Sequence, residues 1–321
     1  MNVFVRILNI LPLLSSGTSL EKIEARDLAA CQKLSFLCNS QEFSTLCEKT
    51  SQNNSYLQGL RSTCVEISPD FAKESLFDAA LLTRFLNSGD CFSKPPTNAK
   101  EVVNSFSDFY RNYVFSVQNP TLSIERLGVC LLIYDFFNER YGTPPPSLCK
   151  NERGKPFFAD FPLEVSVSHS DALVCCAFAE KGDFTEKSLS VECGAFAEDS
   201  APAEDAVSAK SSPSSFFLGL DAQLVPSEEK HYSLRQIAEK LFKNDAFYAE
   251  LSGISSPKEF CDAFTLLWTK KESLVKMTGE GLGGIKKAPP IPYRQISYSL
   301  VTDGGKRKYY VSLSLNATFE L

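Results

Sequence analysis

Residues 266–282 read LLWTKKESLVKMTGEGL. Upstream, Ser256-Pro257 with Glu259 forms a capping-box pattern with proline at the first helical position, and Gly279 supplies a C-terminal stop. These signals predict one helix over about 257–278. On it, i, i+4, i+8 spacing places Trp268, Glu272 and Lys276 on adjacent turns of one face, beside an apolar stripe of Phe264, Leu267, Leu274 and Val275. A carboxylate therefore borders the core just where the helix ends. Read alone, Glu272 and Lys276 are an exposed pair of a common kind, contributing only about 0.2–0.5 kcal/mol.

A second acid changes that reading. FFLGLD (216–221) is expected to be a buried strand that ends on Asp221, where a carboxylate must be solvated, paired or bound to a cation. Two carboxylates from different elements can share a Mg²⁺, a hard ion that completes its shell with water and phosphate oxygens. Lys276 then faces the same phosphates, an arrangement suited to moving a phosphoryl group.

LEVSVS (163–168) alternates strictly and leads into His169-Ser170-Asp171, after which ALVCCAFA (172–179) is a continuous apolar strand. Together they predict a hairpin with a polar tip. With Ser168 before it and Lys155 upstream in GKP, His169 is either part of an anion pocket or a turn histidine beside a capping serine. His231, ahead of a helix start expected at Ser233 with Gln236, is read as structural.

The rest of the chain is mixed. Val3, Val5 and Leu8 predict a first strand, a better reading of the N-terminus than a secretory signal because Asn9 and Pro12 interrupt the apolar run. Residues 20–118 read as amphipathic helical fragments, such as SLEKIEARDLAACQKLSFL, between polar stretches. ERLGVCLLIYDFFNERYG predicts a helix with Leu127, Leu131, Tyr134 and Phe137 on one face, ended by Gly142. The C-terminal region predicts a hairpin turning at Asp303-Gly304-Gly305. Without a regular βαβ rhythm, the fold class is α+β.

In 321 residues, eleven cysteines without CxxC pairs fit a reducing, cytoplasmic protein, with Cys175 and Cys176 as small core residues. The net charge of −6 argues against general nucleic-acid binding, and no stretch is long and apolar enough to cross a membrane. Charge is uneven: residues 181–215 carry a net −4 in a Ser/Ala/Pro-rich run read as an acidic loop, and 268–287 a net +3. A local basic patch on an acidic protein suggests an anionic ligand or an acidic partner surface.

Taken in order, GKPFF, SVSHSD, FLGLDAQ and WTKKESLVKMTGEGL resemble the signature of the Sfp-type 4′-phosphopantetheinyl transferases: GKP, SHS, G-x-D-x-E, and W-x-x-KE-S-x-x-K followed by G-x-GL. The resemblance covers roughly residues 120–300 and implies a two-lobed, pseudo-symmetric α+β fold with coenzyme A in the cleft between lobes. It implies an N-terminal lobe over 1–180 enlarged by an insertion at about 14–100, an insertion loop over 181–215, and a C-terminal lobe over 216–321 carrying the metal site. By that likeness Asp221 and Glu272 are Mg²⁺ ligands, Lys276 contacts the pyrophosphate, Lys155, Ser168 and His169 hold the coenzyme A phosphates, and Trp268 is a packing aromatic. Gln223 stands where the family often has a further acid and is carried over as a neutral third ligand. Arg126, beside Glu125, sits one position from the family's phosphate-binding arginine and is carried over as a coenzyme A contact. The chain is also expected to stop before the family's last strand.

The activity so implied is that of a Mg²⁺-dependent holo-[acyl-carrier-protein] synthase. It moves the 4′-phosphopantetheine arm of coenzyme A onto a serine of an apo acyl or peptidyl carrier protein and releases adenosine 3′,5′-bisphosphate. Glu272 or a water on the metal takes the serine proton. The rival readings are a non-catalytic homologue that binds carrier proteins and a Mg²⁺-dependent phosphohydrolase using the same carboxylates.

Overall fold

The computed structural model describes residues 3–16, 19–38, 64–67, 74–75, 98–158, 161–180, 217–287 and 291–316. The acidic segment 181–215 and most of the expected insertion lie outside these residues. The first part of the chain runs β1 (Val3–Asn9), α1 (Leu11–Ser16), α2 (Ala25–Ala29), β2 (Gln32–Cys38), β3 (Cys64–Ile67), β4 (Glu74–Ser75), α3 (Ala99–Ser105), α4 (Asp108–Phe115) and α5 (Pro120–Tyr141). Then follow β5 (Leu148–Lys150), β6 (Pro156–Phe158), β7 (Leu163–Ser170), β8 (Leu173–Glu180), β9 (Leu218–Leu224), α6 (His231–Phe242), α7 (Ala246–Ser252), α8 (Pro257–Thr278), β10 (Tyr293–Thr302) and β11 (Arg307–Asn316).

The fold is α+β. One sheet has the order β4-β2-β1-β8-β7 and a second the order β3-β10-β11-β9. Alternating side chains of β1 and β8 (Val3, Val5, Ile7, Leu173, Cys175, Ala177) pack against those of β9, β10 and β11 (Leu218, Leu220, Tyr298, Val311, Leu313), so the two sheets face each other across a shared core. α5 covers the outer face of the first sheet and α8 that of the second. The layers are therefore helix, sheet, sheet, helix.

The two covering helices are built alike. Each has 22 residues, a side-chain N-cap (Asn119 or Ser256), proline at its start, and a glycine in the left-handed region at its end (Gly142 at φ 66°, Gly279 at φ 70°). The predicted bounds 257–278 and the Ser256 cap are those observed. α5 departs from its expected single apolar face: every residue from Leu127 to Phe137 is buried, because α1, α3 and α4 pack on the sides the sheet leaves open.

Other expectations are corrected. Gln32–Cys38, expected within a helical fragment, is strand β2, paired antiparallel along the whole of β1. The edge of β1 offers it a ladder, whereas α2 is only five residues long. α6 begins at His231 rather than at a Ser233 cap, because the chain enters it through a 3₁₀ turn at Glu228–Lys230 whose acids suit a helix start. β9 continues past Asp221 to Leu224. β3, from the region assigned to the N-terminal lobe, pairs parallel with β10 in the second sheet, so the division at 180 and 216 does not separate the sheets. The β7–β8 and β10–β11 hairpins form as predicted, the first turning at Asp171 (φ 53°) and the second at Asp303-Gly304-Gly305. Cys175 and Cys176 are buried and free, as expected of small core residues.

The sheets join at β7 and β9 without a backbone ladder. Ser166, Ser168 and Ser170 each accept a hydrogen bond from a β9 N–H group, of Leu220 (2.8 Å), Ala222 (3.1 Å) and Leu224 (3.0 Å). Alternate residues of one strand supply alternate acceptors, so every N–H on the β9 edge turned away from β11 over this stretch has a partner.

On its other flank β9 meets α8 at Gly219. A Cβ there would lie 1.9 Å from the Ser273 carbonyl oxygen and 2.4 Å from the Met277 nitrogen. The obstacles are helix backbone, which cannot rotate aside. Ser273 continues the close approach, its hydroxyl 2.7 Å from that of Ser314 on β11. We expect Gly219→Ala to destabilise the fold by about 3 kcal/mol, the upper end of over-packing costs, read as a lowered denaturant midpoint. Ser166→Ala, which strands the Leu220 N–H, is expected to cost about 1–3 kcal/mol. Wild-type midpoints in both variants would show that the junction is not under this constraint.

Candidate active site

Asp221 is the centre of the site. It lies mid-strand on β9 and is 2% exposed, because β7 flanks it on one side and α8 on the other. Its Oδ1 accepts hydrogen bonds from the Ser168 hydroxyl (2.9 Å) and the Lys276 ammonium (2.7 Å). Lys276 also donates to Ser168 Oγ (2.9 Å) and to the Val167 carbonyl (3.4 Å). Asp221 Oδ2, equally buried, has no donor. Leaving a buried carboxylate oxygen without a partner is costly, so this atom marks a place for a proton or a cation.

Glu272 is the neighbour that faces it. Burial first, and then the Asp221 charge, push the Glu272 carboxyl up from 4.5 to about 7, against the lowering effect of Lys276. The negative charge on Asp221 disfavours a second charge on Glu272 beside it. Glu272 also opens, with Gln223, onto a cavity of about 370 Å³ walled by Pro226, Leu234, Ile237, Phe264 and Trp268. Trp268 stacks on Phe264 at 5.9 Å between ring centres, a packing aromatic as expected. The structure thus brings Asp221, Glu272 and Lys276 together and places Gln223 beside Glu272. Among the described residues no group of three His, Cys, Asp or Glu is placed to hold a metal.

The expected phosphate-binding set is rearranged. Ser168 has one proton and two acceptor positions, and Asp221, Lys276 and the Ala222 N–H occupy all three. It positions Asp221 rather than offering a free hydroxyl to a phosphate. Strand alternation turns His169 to the opposite face of β7, where Nδ1 lies 3.2 Å from a Glu125 carboxylate oxygen on α5 and the ring stays 42% exposed. Lys155 pairs with Glu164 (3.4 Å) and donates to the Met277 carbonyl at the end of α8 (3.3 Å). Arg126 donates to the Tyr113 carbonyl (2.8 Å) and the Ser116 hydroxyl (2.7 Å) and stacks over the Tyr113 ring. This guanidinium fastens α4 to α5. His231 rests on the Glu228 carbonyl and Tyr232, a structural place.

Sequence reasoning passed over four residues. Gly219 lets Asp221 and Glu272 approach, and its signal was the glycine inside FLGLD. Ser166 and Ser170 extend the junction, and the alternation in VSVSHS announces them. Glu125 orients His169 from 44 positions away in sequence, a pairing no local pattern signals.

The family model for the 4′-phosphopantetheinyl transferase superfamily matches residues 218–318. The matched span contains Asp221, Gln223, Glu272 and Lys276 but not Lys155, Ser168 or His169. No curated protein matches the chain.

The raised Glu272 carboxyl has a consequence for stability. The folded protein holds this proton up to about pH 7, while an unfolded carboxyl releases it near 4.5, so folding is favoured below that window and less favoured above it. In EDTA-treated protein we expect the thermal midpoint to fall between pH 5 and pH 8, and Glu272→Gln to reduce that fall. An identical pH dependence in the variant would remove the coupling of Glu272 to Asp221.

Proposed function

We propose that this protein transfers the 4′-phosphopantetheine arm of coenzyme A to a serine of an apo acyl or peptidyl carrier protein, releasing adenosine 3′,5′-bisphosphate. The observation that carries this reading is the donorless, buried Asp221 Oδ2 facing Glu272, with Lys276 alongside, inside the span matched by the 4′-phosphopantetheinyl transferase superfamily model.

Asp221 and Glu272, with Gln223 as a neutral partner, would hold a Mg²⁺. When bound, the ion supplies charge neutralisation on the pyrophosphate. The residues do the remainder. The serine oxygen attacks the β-phosphorus, the bond to the bridging oxygen of the pyrophosphate breaks, and the bisphosphate leaves with that oxygen. Glu272 borders the apolar cavity from which an acceptor serine would approach, and its carboxylate takes the hydroxyl proton. Lys276, a third exposed and held by Ser168, keeps its ammonium at the edge of the site, where it stabilises charge on the leaving oxygens. Exchanging its weakest bond, to the Val167 carbonyl, for a phosphate oxygen costs little. His169, held by Glu125 through Nδ1 and partly exposed, would with Lys155 hold the phosphate remote from the reacting centre.

Incubation with coenzyme A, Mg²⁺ and apo carrier proteins is expected to add the phosphopantetheine mass to the carrier. Carrier affinity without mass gain would favour a binding protein, and bisphosphate release without any carrier a hydrolase. Asp221→Asn and Glu272→Gln are each expected to lower the transfer rate by a hundredfold or more with the fold retained. Normal rates in either would sink the metal assignment. His169→Ala is expected to raise the KM for coenzyme A more than it lowers kcat, and to narrow discrimination against dephospho-coenzyme A, because the contact is remote from the chemistry.

A further inference from the structure

The opposite face of α8 lines a second, separate cavity of about 580 Å³. Lys270, Leu274 and Thr278 form one wall, and helical spacing sets them about half a turn from Glu272 and Lys276. The end of α6 (Lys240, Phe242, Lys243), the turn after α8 (Ile285, Lys286, Lys287) and Tyr293 at the start of β10 complete it. None of the catalytic residues faces it.

Its charge is unlike that of the molecule. Six lysines line it against two carboxylates, Asp245 and Glu280, on a chain whose net charge is −6. Asp245 is engaged with Lys271 at 2.7 Å. Lys240, Lys243, Lys286 and Lys287 are exposed and line the mouth from two elements, with Glu280 in the same lining and Glu239 4.0 Å from Lys243 on the solvent side of α6. Four lysines lining one cavity mouth raise the local positive potential, which favours a bound anion. The floor is apolar: Phe242, Leu267, Leu274, Val275 and Ile285 are buried there, and the Tyr293 side chain stands 41% exposed at the edge. The volume lies in the range of small-molecule sites, roughly 300–1,000 Å³.

We propose that this cavity binds a nucleoside polyphosphate at a site independent of the transfer centre. The phosphates lie among Lys240, Lys243, Lys286 and Lys287, and the base and ribose lie on the apolar floor with Tyr293 available to stack. A bare phosphate would satisfy the lysines and leave the floor exposed, whereas a nucleoside diphosphate uses both.

The test is calorimetric titration with ADP, with inorganic phosphate as the control. Wild-type protein is expected to bind two ADP per chain, one in this cavity and one at the coenzyme A phosphate contacts of the transfer centre, and phosphate at least tenfold more weakly at the lysine site. The double variant Lys243→Glu, Lys287→Glu is expected to bind one ADP per chain while its transfer rate and thermal midpoint stay at wild-type values, since both side chains are exposed. His169→Ala with Lys155→Ala is expected to lose the other site and keep this one. A single ADP site that survives the charge reversals would overturn the proposal. Phosphate binding as tight as ADP would overturn the nucleoside assignment.

Discussion

The molecule depends on how one strand edge is satisfied. β9 pairs with β11 on one side only, and its other edge is buried against the first sheet, where unpaired N–H groups would cost several kcal/mol together. Three serines of β7 solve this with side-chain oxygens in place of a ladder. Because the acceptors are side chains, the two strands need not share a register or a plane, and the sheets are free to face each other across a core. The middle serine, Ser168, does a second task by donating to Asp221. The junction that holds the halves together is thus the device that holds the central carboxylate.

The same economy governs the opposite flank. Gly219 and Ser273 bring the backbone of α8 close to β9, and that closeness allows Glu272 to sense the charge of Asp221. Lys276 compensates one oxygen of Asp221 and leaves the other bare. The buried carboxylate is tolerated because the ammonium partner and the protonatable neighbour divide the cost between them.

Legibility followed the range of the interactions. The limits of α8 were readable because Ser256, Pro257, Glu259 and Gly279 act on backbone groups within a turn of themselves. The hairpins at Asp171 and Asp303 were readable for the same reason. β2 was misread as helix because its residues carry both periods, and the ladder offered by β1 decided between them. The contacts of Arg126 were not legible because a guanidinium on a helix can serve a ligand or a neighbouring helix, and only the fold places Tyr113 and Ser116 beside it.

The sequence by itself determined most of the kinds of element, both ends of α8, the glycine that ends α5, and the facing of Glu272 and Lys276 along one stripe, since each rests on capping chemistry or on helical period. Tertiary structure decided the rest. It put Ser168 and His169 on opposite faces of β7, gave β3 to the second sheet, and made Gly219 indispensable by setting helix backbone against it. These outcomes turn on which groups meet across distant stretches of chain. A hydrogen-bond donor in need of a partner states only that it must be paired, and the packed fold selects the partner.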